Sequence, residues 1–226
     1  MHNVETLKFG TLEITGQLID ASNSTFQGKI DNEFVIYKPI QGEVPLWDFP
    51  DGKLAWREVA SYRVSHALGL DVVPPTILRE GPLGEGMVQA WVECDESVDI
   101  VQIAQSDHQE IRKIAFLDIL INNGDRKFGH ILPMSTQEVF ACDHGVTFNS
   151  DYRLRTVLWQ FMNLPFSSTE INALGELTNQ LTEGLLDGLI TVQEIENTHQ
   201  RIRELQESPF FPEPRPEWPA VPWPLF

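Results

Sequence analysis

Three polar residues within one short stretch have the types and spacing that phosphoryl transfer requires. The stretch NNGDRKFGHIL, residues 122–132, contains Asp125, Lys127 and His130, and a second Asp-x-Gly motif, Asp143–Gly145, follows it. Phosphoryl transfer needs a carboxylate that orients or deprotonates the acceptor hydroxyl, a cation beside the transferred group, and groups that hold a phosphate-bridging metal. Each residue alone is typical of a polar surface turn. Their combination predicts a catalytic loop with Asp125 as the carboxylate and Lys127 as the cation.

A lysine and a glutamate nearer the N-terminus supply further parts of such a site. Lys38 ends the apolar run FVIYK, where an unpaired ammonium group would be costly. Glu58 lies within the helical pattern AWREVASY and is its natural partner. Protein kinases use a strand lysine paired with a helix glutamate to hold the α- and β-phosphates. The tip ASNSTF is expected to cover the phosphates with backbone N–H groups and the polar side chains of Ser22, Asn23, Ser24 and Thr25.

These segments resemble the phosphatidylinositol 3-/4-kinase-like catalytic domain. The likeness is closest to the small actinobacterial members of that group and more distant to the HipA-like and secretory-pathway kinases. It rests on the motifs VIYKPI, WREVASY, NNGDRKFGHIL and ACDHGVTF, and it spans Gly10 to about Trp159. The resemblance implies an α+β, two-lobed protein-kinase-like fold with a β-rich N-lobe that contains one helix and a mostly helical C-lobe. It also implies ATP and a divalent metal, Mg²⁺ or Mn²⁺, as cofactors.

The resemblance also implies a role for each matching residue. By position, Lys38 binds the phosphates, Glu58 holds Lys38 or a metal, Asp125 is the catalytic aspartate and Asp143 binds the metal. The strand MVQAWVE is implied to be the hinge that meets adenine, through the backbone of four consecutive residues: Gln89, Ala90, Trp91 and Val92.

One departure from the family pattern affects the metal site. The usual Asp-Arg-His-x-x-Asn reads Asp-Arg-Lys-x-x-His here, so Lys127 replaces a histidine and His130 replaces the metal-binding asparagine. Imidazole is a poor ligand for Mg²⁺ and suits Mn²⁺ better. Three outcomes stay open: a shifted metal preference, a metal held by Asp143 with phosphates and water, or a weakened transfer activity.

The predicted elements divide the chain into three parts. Residues 1–94 are expected to form the nucleotide-binding N-lobe, in which TLEITGQLI and NEFVIYKPI pair as a hairpin around a turn-rich break, ASNSTFQG. Residues 95–207 are expected to form the C-lobe, with capped helix starts at Ser167–Glu170 and Thr191–Glu194. Residues 208–226 are rich in proline and tryptophan, and an extended strap packed on the domain is favoured over a partner ligand.

Two further expectations concern the surroundings of the loop. Asp118 lies in the apolar helix turn AFLDIL and is expected to point inward and anchor the Asp125 loop through backbone N–H groups. Arg153 and Arg155 follow the Asp143 motif and are expected to lie in a solvated loop.

Charge and composition exclude several classes of protein. The formal net charge is −17, with 16 basic and 33 acidic residues, which disfavours binding to nucleic acid or to an anionic membrane. The two cysteines, Cys94 and Cys142, are expected to be reduced thiols. The N-terminus lacks a signal-peptide pattern, and no apolar run reaches membrane-spanning length, so a cytoplasmic protein is expected.

Three functions follow from these observations, in descending preference. The first is an ATP-dependent phosphotransferase that moves the γ-phosphoryl group to a hydroxyl of a protein, small molecule or lipid. The second keeps the fold and the nucleotide but is a pseudokinase regulator or an AMP-transferring enzyme, as the histidine at position 130 suggests. The third is a non-enzymatic interaction domain in which the C-terminal segment is the functional part.

Overall fold

The residues that the structure describes form a five-stranded antiparallel sheet, a small two-stranded sheet and six α-helices. The computed structural model describes residues 4–18, 23–44, 46–49 and 53–226, so the predicted tip residue Ser22 lies outside the described residues. The strand order is β1-β2-β3-β5-β4. The strands are β1 (Leu12–Leu18), β2 (Thr25–Ile30), β3 (Glu33–Pro39), β4 (Thr76–Gly81) and β5 (Gly84–Ala90). The mixed α+β class expected from the sequence is confirmed.

Strand β2 corrects the predicted hairpin. The segment ASNSTFQG was expected to be a break between two paired strands, but Thr25 already begins β2, which pairs with β1 on one side and β3 on the other. Thr25 and Phe26 are β-branched and aromatic and therefore suit a strand. Gly28 allows close approach of the backbones, because a Cβ there would lie 2.9 Å from the Glu13 carbonyl oxygen. Gly28, which indicated a turn in the sequence, is instead needed for the packing of β2 against β1.

Strand β3 and the following helix carry the two residues of the predicted ion pair. Val35, Tyr37 and Pro39 of β3 are buried, and Lys38 lies between them on the opposite face because side chains alternate along a strand. Helix α2 (Leu54–Ala67) contains Glu58, and Gly69, at φ +62°, follows its last residues.

The remaining helices and a small hairpin make up the other part of the molecule. They are α1 (Val4–Phe9) before the sheet, then α3 (Ile100–Ala104), α4 (Gln109–Leu120), α5 (Ser168–Thr182) and α6 (Val192–Glu207). Strands β6 (Ile131–Pro133) and β7 (Val139–Ala141) form a separate hairpin. Both predicted capping boxes are present, Ser167 with Glu170 and Thr191 with Glu194. None of the helices within the described residues is both long and apolar enough to cross a membrane.

One hydrophobic core joins the sheet to the helices. Val59 of α2, Met87 of β5, Ile114 of α4, Leu174 of α5 and Ile202 of α6 belong to the same cluster of buried side chains. The sheet and the helical part therefore bury apolar surface against each other, which holds the residues of the cleft between them in register.

The proline-rich C-terminal segment packs against the helical part. Phe211 is buried and contacts the ring of Phe166 at 5.1 Å between centroids. Further along, Thr156 N donates to Ala220 O at 3.1 Å, and Phe128 N donates to Leu225 O at 2.9 Å. The segment thus contacts both the loop after Asp143 and the catalytic loop. The exact division of the chain at residues 94 and 207 stays a prediction.

We expect Glu170→Gln to lower the free energy of unfolding by about 1–2 kcal/mol at pH 7. Burial would raise the pKa of Glu170, but hydrogen bonds from Arg112 and Ser167 outweigh it and lower that pKa below its usual 4.5. The contribution is therefore complete above pH 4.5 and disappears as the pH falls through the lowered value. Thermal unfolding at pH 7 and pH 3 should show the variant and the parent converging. Glu176→Gln, at an exposed position of the same helix, should show no such convergence.

Candidate active site

A single lysine connects the sheet, α2 and the loop that follows β7. Lys38 Nζ donates to Glu58 Oε1 at 2.7 Å and to Asp143 Oδ1 at 2.9 Å. Burial alone would lower the pKa of Lys38, but the carboxylates of Asp143 and Glu58 outweigh it and raise that pKa well above its usual range. The ammonium group therefore stays charged and holds residues from three separate segments at one point.

Glu58 is fixed at both carboxylate oxygens. Its second oxygen, Oε2, accepts from the backbone N–H of His144 at 2.8 Å. The neighbouring residue on α2, Arg57, is also buried; it donates to Thr147 O at 2.7 Å and to Glu194 Oε1 of α6 at 2.6 Å. Helix α2 is thereby attached both to the segment after Asp143 and to the far helical part. Sequence reasoning missed Arg57, because Glu194 is 137 positions away.

Asp125 lines the same cavity as Lys38 and forms a separate ion pair with Lys127. Its backbone N–H donates to Asn123 Oδ1 at 3.0 Å, which fixes the turn, and Lys127 Nζ lies 3.3 Å from Asp125 Oδ2. Burial raises the pKa of Asp125; Lys127 opposes this rise and Asp143 adds to it, and the net shift is upward. A carboxylate with a raised pKa beside an ammonium group has the properties of a proton acceptor near a negatively charged substrate.

His130 lies against Asp143 and is uncharged at neutral pH. Its Nε2 atom is 3.3 Å from Asp143 Oδ2. Burial lowers the pKa of His130 to about 4, although Asp143 partly opposes that effect. The Nδ1 atom is buried and has no hydrogen-bond partner among the described residues. A neutral imidazole is the form that ligates metals.

Asp118 anchors the catalytic loop in two ways: the backbone N–H of Asn123 donates to its main-chain carbonyl oxygen at 2.9 Å, and side chains bond to its carboxylate, which was expected to accept from backbone N–H groups. The fully buried Arg126 donates to both carboxylate oxygens of Asp118, with Nη2 at 2.9 Å and Nε at 3.0 Å. Asn123 Nδ2 donates to the same carboxylate at 2.8 Å. Side chains bond to the Asp118 carboxylate because Arg126 of the loop is buried beside it.

Arg126 continues this network to the motif that contains Asp143. Its Nη1 donates to Cys142 O at 2.9 Å and its Nη2 donates to His144 Nε2 at 2.6 Å. His144 is buried and its pKa lies well below the ordinary value, because of burial and the adjacent Arg126. The network therefore links the residues on either side of Asp143 to the loop of Asp125. Arg126 directly follows Asp125 in sequence, but a charged side chain gives no signal that it is buried.

The two arginines after the Asp143 motif also differ from the expectation of a solvated loop. Arg153 packs over the ring of Trp218 at 4.4 Å and over that of Trp47 at 5.6 Å. Arg155 donates through Nε to the Gly124 carbonyl oxygen. Cation–π contacts and this carbonyl bond hold both side chains against the protein.

Five of the predicted residues line one cavity of about 180 Å³: Asn23, Lys38, Glu58, Asp125 and Asp143. Two further predicted residues lie just outside the lining: Lys127 contacts Asp125, and His130 contacts Asp143. Ser24 and Thr25 are not part of the lining, and the Thr25 hydroxyl donates to Asn23 O at 3.2 Å. Asn23 itself accepts from Val44 N at 2.7 Å, so the end of this tip is bonded to the segment after β3.

The predicted hinge lies outside that cavity. Gln89 is buried and donates through Nε2 to Thr76 Oγ1 at 2.8 Å, and the Ala90 and Trp91 amides donate to Pro75 O and Phe34 O. In the described part of the chain, the Val92 amide N–H has no hydrogen-bond acceptor. Contact of these four residues with adenine stays a prediction.

The side chains of the cleft supply too few metal ligands by themselves and would need further oxygens from a bound phosphate. No group of three or more His, Cys, Asp or Glu side chains in the described ranges is arranged to hold a metal ion. Asp143, whose side chain is 49% exposed, and the neutral His130 are the available donors. Mg²⁺ is typically held by one or two carboxylates together with phosphates and water. This pair therefore suits a metal that arrives with phosphate oxygens.

A comparison of sequences places the chain among known proteins. No family model matches it. It is 35% identical over 259 aligned positions to protein Rv2133c of Mycobacterium tuberculosis, and the alignment takes in 96% of this chain and 93% of that protein. The chain belongs to the Rv2133c family. A second relative, phosphatidylinositol 4-kinase gamma 4 of Oryza sativa subsp. japonica, is 30% identical over 129 residues, which is 49% of this chain and 23% of the kinase.

Solved structures identify the fold of this Rv2133c family member. Two crystal structures of the Golgi casein kinase, one of them with Mn/ADP bound, each superpose with a TM-score of 0.57 at 13% sequence identity. Each covers 90% of this chain, and the chain covers 72% and 74% of the two kinase chains. The two-lobed, atypical kinase-like fold predicted from the sequence is therefore confirmed.

Proposed function

We propose that this protein is an ATP-dependent phosphotransferase that transfers the γ-phosphoryl group to a hydroxyl. The observation that carries the proposal is the ammonium group of Lys38, bonded to Glu58 and Asp143 in the cavity that Asp125 also lines. Two carboxylates around one lysine, facing a third carboxylate, match the charge distribution that a metal-bound triphosphate and an acceptor hydroxyl require. The kinase-like fold supports this assignment.

Each residue of the cleft then has one task. Asp125 accepts the proton of the acceptor hydroxyl as its oxygen bonds to the γ-phosphorus, while the bond from the γ-phosphorus to the β–γ bridging oxygen breaks and ADP leaves. Lys127, 3.3 Å from Asp125 Oδ2, offsets negative charge on the transferred group. Lys38 binds the α- and β-phosphates and stays oriented by Glu58.

Asp143 and His130 would hold a divalent metal together with the phosphates of ATP. When bound, it supplies charge neutralisation of the phosphate oxygens. Asp143 offers an exposed carboxylate and His130 a neutral imidazole, a donor set that suits Mn²⁺ at least as well as Mg²⁺. We therefore propose a preference for Mn²⁺.

The position of His130 also favours a second candidate function. An imidazole 3.3 Å from Asp143 replaces the usual amide ligand, and such a site supports nucleotide binding with a weak or altered transfer step. The alternatives are a nucleotide-binding regulator and an enzyme that transfers AMP. An interaction domain without nucleotide chemistry has less support, because its motivating C-terminal segment is packed against the helical part.

Labelled ATP distinguishes these functions. The full chain is incubated with Mn²⁺ or Mg²⁺ and ATP labelled at the γ- or the α-phosphate, with casein and phosphatidylinositol vesicles as trial acceptors suggested by the names of two relatives. We expect γ-label in the protein, in an acceptor or in inorganic phosphate, and more of it with Mn²⁺. Incorporated α-label would indicate AMP transfer. Binding of a fluorescent ATP analogue without either product would indicate a regulator, and absence of binding would contradict both nucleotide functions.

A further inference from the structure

A second cavity, larger than the catalytic cleft, lies in the helical part. Its volume is about 520 Å³, within the range of small-molecule sites. Its walls come from the C-terminal half of α6, from residues 150–154 after the Asp143 motif, and from the C-terminal segment at residues 208–215. None of the residues assigned above to nucleotide, metal or catalysis lines it.

Two arginines without carboxylate partners face this cavity. Arg201 on α6 donates through Nη1 to Leu120 O at 2.8 Å, and Arg215 places its guanidinium 4.0 Å from the centre of the Tyr152 ring. Neither forms an ion pair with a carboxylate of the described residues. Burial lowers the pKa of Arg201; Glu204 opposes this effect and Arg215 adds to it, so the two guanidinium groups repel each other. In a chain with 33 acidic and 16 basic residues, two such unpaired cations at one cavity are unexpected.

The carboxylates on the cavity wall are engaged by neutral side chains. Glu204 Oε1 accepts from Gln200 Nε2 at 3.0 Å, and Glu213 Oε1 accepts from Asn163 Nδ2 at 2.6 Å. These bonds occupy one oxygen of each carboxylate, and within the described residues neither carboxylate forms an ion pair with Arg201 or Arg215. The guanidinium groups keep donors for a ligand anion, and a carboxylate, sulfonate or phosphate suits their planar geometry.

The ring of Tyr152 and an apolar wall complete the site. Tyr152 lines the cavity, and its hydroxyl is buried without a hydrogen-bond partner in the described part of the chain. Buried hydroxyls are ordinarily bonded, so this one is unusual, but its burial means that the ring of Tyr152 forms the lining. Leu154, Leu205 and Phe211 supply apolar surface on the same lining. A ligand that matches both features has an apolar or aromatic body and one anionic group.

We propose that this cavity binds a small organic anion, with its apolar body against Leu205 and Phe211 and its anionic group between Arg201 and Arg215. The cavity shares no lining residue with the catalytic cleft. Asn122, which also lines the cavity, donates to Asp151 O at 2.7 Å and directly precedes Asn123 of the catalytic loop. A bound molecule would therefore contact the segment that supports that loop.

The probe that tests this proposal is 8-anilinonaphthalene-1-sulfonate, titrated into the full chain and followed by its fluorescence. We expect saturable binding that Arg201→Gln and Arg215→Gln each weaken about 10- to 100-fold, because each removes a charge-assisted hydrogen bond. Arg201→Lys should retain part of the affinity. N-phenyl-1-naphthylamine has the same aromatic body without the sulfonate, and its binding should not respond to either glutamine variant.

Two controls keep the result decisive. Arg203→Gln removes an exposed arginine of the same helix, which bonds to Glu196 and Gln200, and should leave the affinity for the sulfonate unchanged. The protein has three tyrosines, so tyrosine-selective NMR labelling should show the probe perturbing Tyr152 and not Tyr37 or Tyr62. Equal affinity in all variants, or an unperturbed Tyr152, would overturn the proposal. If Arg201→Gln does not fold, the exposed Arg215→Gln decides alone.

Discussion

Asp125→Asn should lower γ-phosphoryl transfer about 10²- to 10⁴-fold while leaving nucleotide binding nearly unchanged. The amide keeps the size of the carboxylate, and the loop keeps its shape because its turn is fixed by the Asp125 backbone N–H on Asn123 Oδ1. An amide does not accept the hydroxyl proton at neutral pH. The measurements are the initial rate of γ-label transfer and the affinity for a fluorescent ATP analogue with Mn²⁺.

Asp143→Asn should impair nucleotide binding as well as transfer. The ammonium group of Lys38 is the main cause that holds the pKa of Asp143 well below its usual range, so the parent presents a charged carboxylate to a metal at any physiological pH. The asparagine variant should lose the metal-dependent part of nucleotide binding and, with it, transfer. A chelator added to the parent should reproduce that loss.

Asp71→Asn is the matched control for these two variants. It makes the same isosteric change at an exposed position that pairs with His66 and does not line the cleft, and asparagine tolerates its φ of +50°. We expect parental binding and transfer. If Asp125→Asn also transfers label at the parental rate, the role assigned to Asp125 is wrong. If both Asp125→Asn and Asp143→Asn behave like the parent, the nucleotide site lies elsewhere.

The charged residues that the motifs identified meet in the cleft, whereas Ser24, Thr25 and the predicted hinge lie outside its lining. Lys38, Glu58 and Asp143 were proposed to act together from their residue types and order, and they form one cluster of ion pairs. This works because a lysine in an apolar strand and a glutamate on an apolar helix need partners, and the fold brings their elements together. The roles assigned to these residues stay predictions until the variants are measured.

The supporting contacts were not predictable from local pattern. Arg57 and Glu194 lie on helices far apart in sequence, and no periodicity relates them. Strand β2 was missed because Gly28 is typical of a turn, although here it lets two strands approach. Arg126 is fully buried although its sequence neighbours suggest a polar surface loop. In each case tertiary packing, and not propensity, decides the position.

Asp118→Asn should lower the free energy of unfolding by about 3–5 kcal/mol, because it leaves the Arg126 guanidinium buried without its anion. Both side chains have no solvent exposure, and Arg126 Nη2 lies 2.9 Å from Asp118 Oδ1. Burial alone would lower the pKa of Arg126, but Asp118 outweighs this effect and raises it, so the charge stays in the core. For a chain of this size the loss corresponds to roughly 6–20 °C in melting temperature, measurable by thermal unfolding.

A double variant shows whether Asp118→Asn is destabilising because it leaves a buried charge without a partner or because it removes a contact. Asp118→Asn with Arg126→Met removes the buried charge as well as its partner, and should be more stable than Asp118→Asn alone although Cys142 O and His144 Nε2 lose a donor. The exposed pair of Arg203 and Glu196 is the reference, and Glu196→Gln should cost about 1 kcal/mol or less. If the double variant is less stable than both the parent and Asp118→Asn, the main contribution of Arg126 is its hydrogen bonds to the Asp143 motif. Buried charge on the arginine would then not explain the effect of Asp118→Asn.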